Sequence, residues 1–179
     1  MGSIEVITGC MFSGKTEAMM ARLNRYAIGR RDVRLVRPEC DVRAASAAIT
    51  GYAFHANAAV VGELAAVDLA HLSAGSAVGI DEAQFFAAAD LVDFCVKMYS
   101  RGVHVIVCGL LATYDMRPFG AMAALLPYAT RVEFMTAVCK ACGRDCATVS
   151  RRNGPGRELV EIGGLSEYSP LCLACSLEQ

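Results

Sequence analysis

The first apolar run, Ile4-Glu5-Val6-Ile7-Thr8, is too short for a helix and meets glycine-rich sequence at once, which predicts a strand. From Lys15 to about Gly29 the residues Met19, Met20, Leu23, Tyr26 and Ala27 recur at spacings of three and four. That period predicts an amphipathic helix, with Gly29 as its stop. Val33-Arg34-Leu35-Val36 reads as a second strand, ended by Pro38, and residues 39–60 lack periodicity and read as an extended loop. Glu63 to Leu72 is expected to be helical. Ala77 to Asp81 is a short apolar strand with acids at its carboxyl end. Leu91, Phe94, Cys95 and Met98 give Ala87 to Tyr99 a helical period, and the β-branched stretch Val103 to Cys108 suits a strand buried on both faces.

Strands that alternate with helices imply an α/β fold with a mostly parallel sheet flanked by helices. Near Thr136 the character changes to glycines, paired cysteines and polar residues. This places a boundary between an α/β unit, residues 1–135, and a small carboxyl-terminal module, residues 136–179. The whole chain, 179 residues, suffices for one ordinary domain with an appendage.

Composition narrows the partners. Seventeen basic and 18 acidic residues leave a net charge of −1, so no global field draws the chain to nucleic acid or an anionic membrane. A mean hydropathy of +0.39 raises the question of a membrane span. The greasiest stretch, Val103 to Ala112, is half the roughly 20 residues a span needs and contains His104 and Gly109. Glu5 interrupts the first apolar run and no basic stretch precedes it, so no secretory signal is read and a cytoplasmic location is expected. The nine cysteines are then not a disulfide framework. Cys10, Cys40, Cys95, Cys108 and Cys146 read as small apolar packers.

Three motifs carry chemistry. Gly9-Cys10-Met11-Phe12-Ser13-Gly14-Lys15-Thr16 fits G-x-x-x-x-G-K-[ST], a loop whose amides turn inward around phosphate oxygens at the start of a helix. Lys15 would reach the β- and γ-phosphates of ATP, and Thr16 would bind Mg²⁺. The strand before and the helix after make a chance glycine turn a poor explanation. Next, Val78-Gly79-Ile80 ends in Asp81-Glu82. Asp81 is suited to Mg²⁺ opposite Thr16, and Glu82 to accepting a proton from an attacking hydroxyl or water. Finally, Cys139-x-x-Cys142 and Cys172-x-x-Cys175 can complete a tetrahedral thiolate site for structural zinc. A redox pair explains one couple but not both.

Together these residues resemble the thymidine kinase family of cellular, bacterial and poxviral origin. Met11-Phe12-Ser13-Gly14-Lys15, Ile80-Asp81-Glu82-Ala83-Gln84-Phe85-Phe86, Pro118-Phe119-Gly120, Thr136-Ala137-Val138-Cys139, and Ile162-Gly163-Gly164 followed by Tyr168 match in order and spacing. The resemblance implies a P-loop, RecA-like domain with a zinc-ribbon-like lasso domain. It implies transfer of the ATP γ-phosphate to the 5′-hydroxyl of thymidine, with Glu82 as base, Asp81 as the Mg²⁺-linked acid, and Lys15 and Arg43 on the moving phosphoryl group. Asp41 and Arg43 match an Asp-x-Arg near the phosphates. Met11, Phe85, Leu110, Tyr114 and Phe119 fall at positions that enclose the nucleoside. Leu159, Val160, Glu161, Ile162, Gly163 and Tyr168 match the lasso that folds over it. A tetramer and feedback inhibition by thymidine triphosphate (dTTP) are further implications.

The chain also departs from that pattern. Cys10 replaces the usual proline, Leu111 stands where many members have aspartate, and Tyr114 replaces a phenylalanine. These changes bear on the range of nucleosides accepted, not on the transfer chemistry. The rival reading is a nucleic-acid-stimulated P-loop ATPase whose zinc ribbon grips DNA or RNA through Arg144, Arg151, Arg152 and Arg157. Balanced charge and the absence of helicase motifs weigh against it.

Overall fold

A computed structural model of the chain describes residues 1–41, 58–67, 69, 72–154 and 166–178. Its centre is a six-stranded sheet in which every pairing is parallel. The strands are β1 (Ser3–Gly9), β2 (Val33–Pro38), β3 (Ala58–Val61), β4 (Ala77–Ile80), β5 (His104–Gly109) and β6 (Arg131–Met135). They lie in the order β3-β2-β4-β5-β1-β6. Because all run the same way, their carboxyl ends share one edge, the edge where open α/β sheets bind ligands.

Period-two alternation sends successive side chains to opposite faces. Ile7, Leu35, Ala77, Ile106 and Cys108 pack under Met19, Met20 and Leu23 of α1 (Lys15–Ile28). Val6, Val36, Val78, Ile80, Val105 and Val107 face the other way. They meet Leu91, Phe94, Cys95 and Met98 of α2 (Ala88–Ser100) and Ala121, Met122 and Leu125 of α3 (Gly120–Leu125). Helix α1 lies so close to the sheet that a Cβ at Gly79 would stand 2.5 Å from Leu23 Cδ1. Among the described residues no helix is long and apolar enough to cross a membrane.

After β6 come two small antiparallel pairs, β7 (Ala137–Val138) with β8 (Asp145–Ala147) and β9 (Val149–Arg152) with β10 (Tyr168–Leu171), then α4 (Leu173–Leu177). A third core holds them, built from Ala137, Cys139, Ala147, Leu171 and Cys172. Cys10, from the loop after β1, belongs to that core as well. The two parts therefore share a buried residue.

Several expectations need correction. The described residues of Glu63 to Leu72 do not form the expected helix: one 3₁₀ turn, Leu64–Ala66, ends at Val67, which is extended. The buried leucines Leu64, Leu69 and Leu72 join the core but fall at spacings of five and three, which do not make a helical stripe. Residues 58–60, read as loop, belong to β3; residues 42–57 lie outside the described residues. Strand β6 and helix α3 were not foreseen. Among the presumed packing cysteines, Cys10, Cys95 and Cys108 are buried, Cys146 is half-buried and Cys40 is exposed.

Leu23 is fully buried between α1 and the sheet. Leu23→Ala is expected to destabilise the fold by about 2–5 kcal/mol, read from the shift in chemical denaturation midpoint at constant m-value.

Candidate phosphate-binding and catalytic site

The loop after β1 is shaped by backbone that side chains rarely tolerate. Gly9 has φ 153°, and a Cβ there would lie 2.2 Å from the Met135 carbonyl oxygen. Phe12 and Gly14 are left-handed, at φ 66° and 79°. Gly14 precedes α1 and offers no side-chain cap, which leaves the amides of the first turn available to an anion. Lys15 Nζ donates to the Cys10 carbonyl at 2.6 Å, and Ser13 Oγ donates to the same oxygen at 2.9 Å. Burial pushes the Lys15 pKa down. Glu82 opposes that shift most, followed by Cys108, Cys10 and Asp81.

The sheet order puts β5 between β1 and β4, so the end of β5 lies beside both motifs. Asp81, 4% exposed, gathers four donors there. They are Thr16 Oγ1 at 3.1 Å, Arg37 Nη2 at 3.0 Å, Cys108 Sγ at 2.9 Å and the Glu82 amide at 3.0 Å. Burial first, and the Asp81 charge second, push the Cys108 thiol well up, so it keeps its proton and donates it. Glu82 follows in the left-handed region at φ 50°, ψ 41°, an uncommon place for a side-chain-bearing residue. Such backbone costs about 1–3 kcal/mol and persists where its surroundings over-determine it. Gln84, in the 3₁₀ turn Ala83–Phe85, is one of those surroundings: its Nε2 donates to Glu82 Oε2 at 2.6 Å.

From the end of β5, residues 110–119 fold back on themselves through a Thr113 amide bond to the Arg117 carbonyl and a Phe119 amide bond to the Leu111 carbonyl, each 2.8 Å. Leu110 is half-buried, and its amide donates to Gln84 Oε1 at 3.0 Å. Half-buried Tyr114 lies under the Arg152 guanidinium, 5.8 Å from its ring centroid, within cation–π range. Buried Tyr168 opens β10 opposite Arg152 in register. Phe85 and Phe119 are half-buried, at the end of the 3₁₀ turn and before α3. Asp41 is buried three residues past β2, its amide bonded to the Pro38 carbonyl. Arg43, Leu159, Val160, Glu161, Ile162 and Gly163 lie outside the described residues.

The phosphate loop is tied to the carboxyl-terminal module by two bonds. Cys10 Sγ donates to the Ala147 carbonyl at 3.2 Å, and the Met11 amide donates to Ser150 Oγ at 2.9 Å. Within that module the sulfurs of Cys139, Cys142, Cys172 and Cys175 all lie within 4.8 Å of one another. Tetrahedral thiolate zinc, with Zn–S near 2.3 Å, needs sulfurs about 3.8 Å apart, so the cluster fits such an ion. The Cys172 amide donates to Cys139 Sγ at 3.3 Å and helps pull that thiol's pKa down. Hydrogen bonding from the Arg144 side chain leads the causes that lower Cys142 to about 6. Cys139 and Cys142 are thus biased toward thiolate, whereas hydrogen bonding with the Cys172 side chain leads the causes that push Cys175 up to about 12. Four sulfur ligands on one ion would leave no open position for catalysis.

Sequence reasoning missed Arg37, Cys108, Ser150 and the contacts of Gln84. Arg37 leaves a partial signal, as a charge between apolar Val36 and Pro38 in a strand that also carries the exposed Arg34.

The thymidine kinase family model matches residues 2–176. A thymidine kinase of Porphyromonas gingivalis is 41% identical over 174 residues, covering 97% of this chain and 84% of that protein. The cytosolic thymidine kinase of Homo sapiens is 38% identical over 97% of this chain and 73% of its own length. A thymidine kinase of Chloroflexus aurantiacus is 36% identical over 97% of this chain and 94% of its own length. Among solved structures, a chain described as an ATPase superposes with a TM-score of 0.46 at 15% identity, over 76% of this chain and 66% of that one.

The thiolate cluster makes a direct test possible. Elemental analysis of purified protein is expected to find one tightly held zinc per chain. Cys172→Ser should lose it and lower the thermal midpoint, and an unaltered metal content would remove Cys172 from the site.

Proposed function

This chain belongs to the thymidine kinase family, and we propose that it transfers the γ-phosphoryl group of ATP to the 5′-hydroxyl of thymidine, giving thymidine monophosphate. The observation that carries the reading is the Thr16–Asp81 contact, which closes the phosphate loop against the acid-bearing end of β4 with Glu82 next in line.

In this reading Lys15 exchanges the Cys10 carbonyl for β- and γ-phosphate oxygens, and the loop amides from Gly9 to Thr16 bind the rest of the triphosphate. Thr16 and Asp81 would hold Mg²⁺, which when bound neutralises charge on the phosphate oxygens. Glu82 takes the proton of the 5′-hydroxyl as its oxygen bonds to the γ-phosphorus. The bond to the β,γ-bridging oxygen breaks, and ADP leaves. Lys15, with Arg43 by resemblance to the family's Asp-x-Arg, stabilises charge on the transferring group. Asp41 belongs to the same motif and is assigned to the nucleoside.

Met11, Phe85, Leu110, Tyr114 and Phe119 are assigned to enclosing base and sugar, and Leu159 to Gly163 with Tyr168 to the lid. Residues 1–135 then form the phosphate-transfer domain. Residues 136–179 form a lid domain whose fold rests on zinc. A homotetramer, inhibition by dTTP and a cytoplasmic location complete the reading. A nucleic-acid-stimulated ATPase has no comparable support.

Glu82→Gln is expected to lower kcat by at least a hundredfold while leaving the affinity for an ATP analogue within about threefold. Thymidine monophosphate formation and analogue titration measure the two. If single-stranded DNA stimulates ATP hydrolysis and thymidine yields no product, the kinase reading fails.

A further inference from the structure

Glu82 is held by something other than its own backbone. Gln84 is 6% exposed, and its amide touches two parts of the site at once. Nε2 donates to Glu82 Oε2 at 2.6 Å, while Oε1 accepts the Leu110 amide at 3.0 Å. The partners fix which end is which: a carboxylate can only accept and a backbone amide can only donate. The far end of the amide also fills a tight space, since a Cβ on Gly109 would come within 2.6 Å of Gln84 Oε1 and 2.9 Å of Met122 Sδ. A rotated or shorter side chain would lose one contact or both.

We infer that Gln84 is a positioning residue of this site: it aims the Glu82 carboxylate and ties it to the start of the 110–119 segment, so that base and nucleoside share one reference. The inference rests on the kinase reading given above. Glu82 sits in left-handed backbone, which by itself leaves its carboxylate free to swing about its side-chain torsions. A short bond to a buried, fixed donor removes that freedom and favours the charged form that accepts a proton. The Lys15 charge also acts on Glu82, but charge alone does not set a carboxylate's direction as a hydrogen bond does. The second half of the bridge carries the alignment to Leu110. A shift there moves the acceptor's pocket and the base together.

Two substitutions separate the halves. Gln84→Met keeps the length and bulk but makes neither bond. Gln84→Glu keeps an acceptor for the Leu110 amide, removes the donor to Glu82 and sets a second carboxylate beside it. With the full-length chain, Gln84→Met is expected to lower kcat by about tenfold to a hundredfold and to raise the thymidine KM, with the ATP KM within about twofold. Gln84→Glu should lower kcat comparably with thymidine KM near wild type. In both, the acid limb of the kcat/KM profile should move to higher pH, because the charged form of Glu82 has lost a donor. A merely structural role would shift the thermal midpoint and leave that limb in place. Wild-type kcat and an unmoved limb in Gln84→Glu overturn the inference, and this variant decides alone if Gln84→Met fails to fold. Glu82→Gln in parallel keeps the two readings distinct. If it retains activity, the assignment of the base fails; if it is inactive while both Gln84 variants are normal, only the positioning role fails.

Discussion

A carboxylate removed from water must find its solvation in the protein, and Asp81 finds it in four donors drawn from four parts of the chain. Arg37 comes from β2, Thr16 from the start of α1, Cys108 from β5, and the Glu82 amide from its own strand end. Arg37 and Asp81 side chains are 8% and 5% exposed, so the pair gives limited net stability but loses much if either partner goes. Its consequence is registration. The ends of β2, β4 and β5 and the first turn of α1 cannot drift relative to one another without leaving a charge unpaired. The phosphate loop inherits that rigidity through Thr16.

The loop is held from its other side by the small module. Cys10 packs into the same core as Cys139 and Cys172 and hydrogen-bonds the Ala147 carbonyl. A proline at that position could not donate the sulfur's bond, so in this chain the tenth residue adds a link between phosphate loop and thiolate cluster. Folding of the thiolate site is therefore coupled to the geometry of the phosphate loop. The Met11 amide, bound to Ser150, reinforces the link one residue later.

The parts of this fold with strong periodicity were legible from sequence, and the parts defined by tertiary partners were not. Met19, Met20 and Leu23 announced α1, and the continuous burial of β5 on both faces follows from its β-branched run. Strand β6 escaped notice because it is a sheet edge: Arg131, Val132 and Phe134 are exposed, so no buried face marks it. Helix α3 has only six residues, too few for a period to show. Within the site, the motifs placed Lys15, Thr16 and Asp81 in one cluster. Nothing in Ala83-Gln84-Phe85 announces that Gln84 reaches the Leu110 amide, which lies 26 residues away and becomes a neighbour only through the order of β4 and β5.

The adjacent acids show how one chain step separates two environments. In an unbroken strand Asp81 and Glu82 would point to opposite faces of the sheet, one toward α1 and one away. Strand β4 instead ends at Ile80, and Glu82 turns left-handed, which redirects its side chain while its amide binds the neighbouring carboxylate. Asp81 is thereby buried and fixed by its four donors, and Glu82 stays half-exposed and accepts a neutral donor from Gln84. Two carboxylates this close repel, and the positive charges of Arg37, paired with Asp81, and of Lys15, which feels both acids, offset that repulsion. In the proposed reaction one carboxylate holds its place and the other takes up a proton, tasks that these unlike environments suit. The left-handed turn between them supplies both without a second strand.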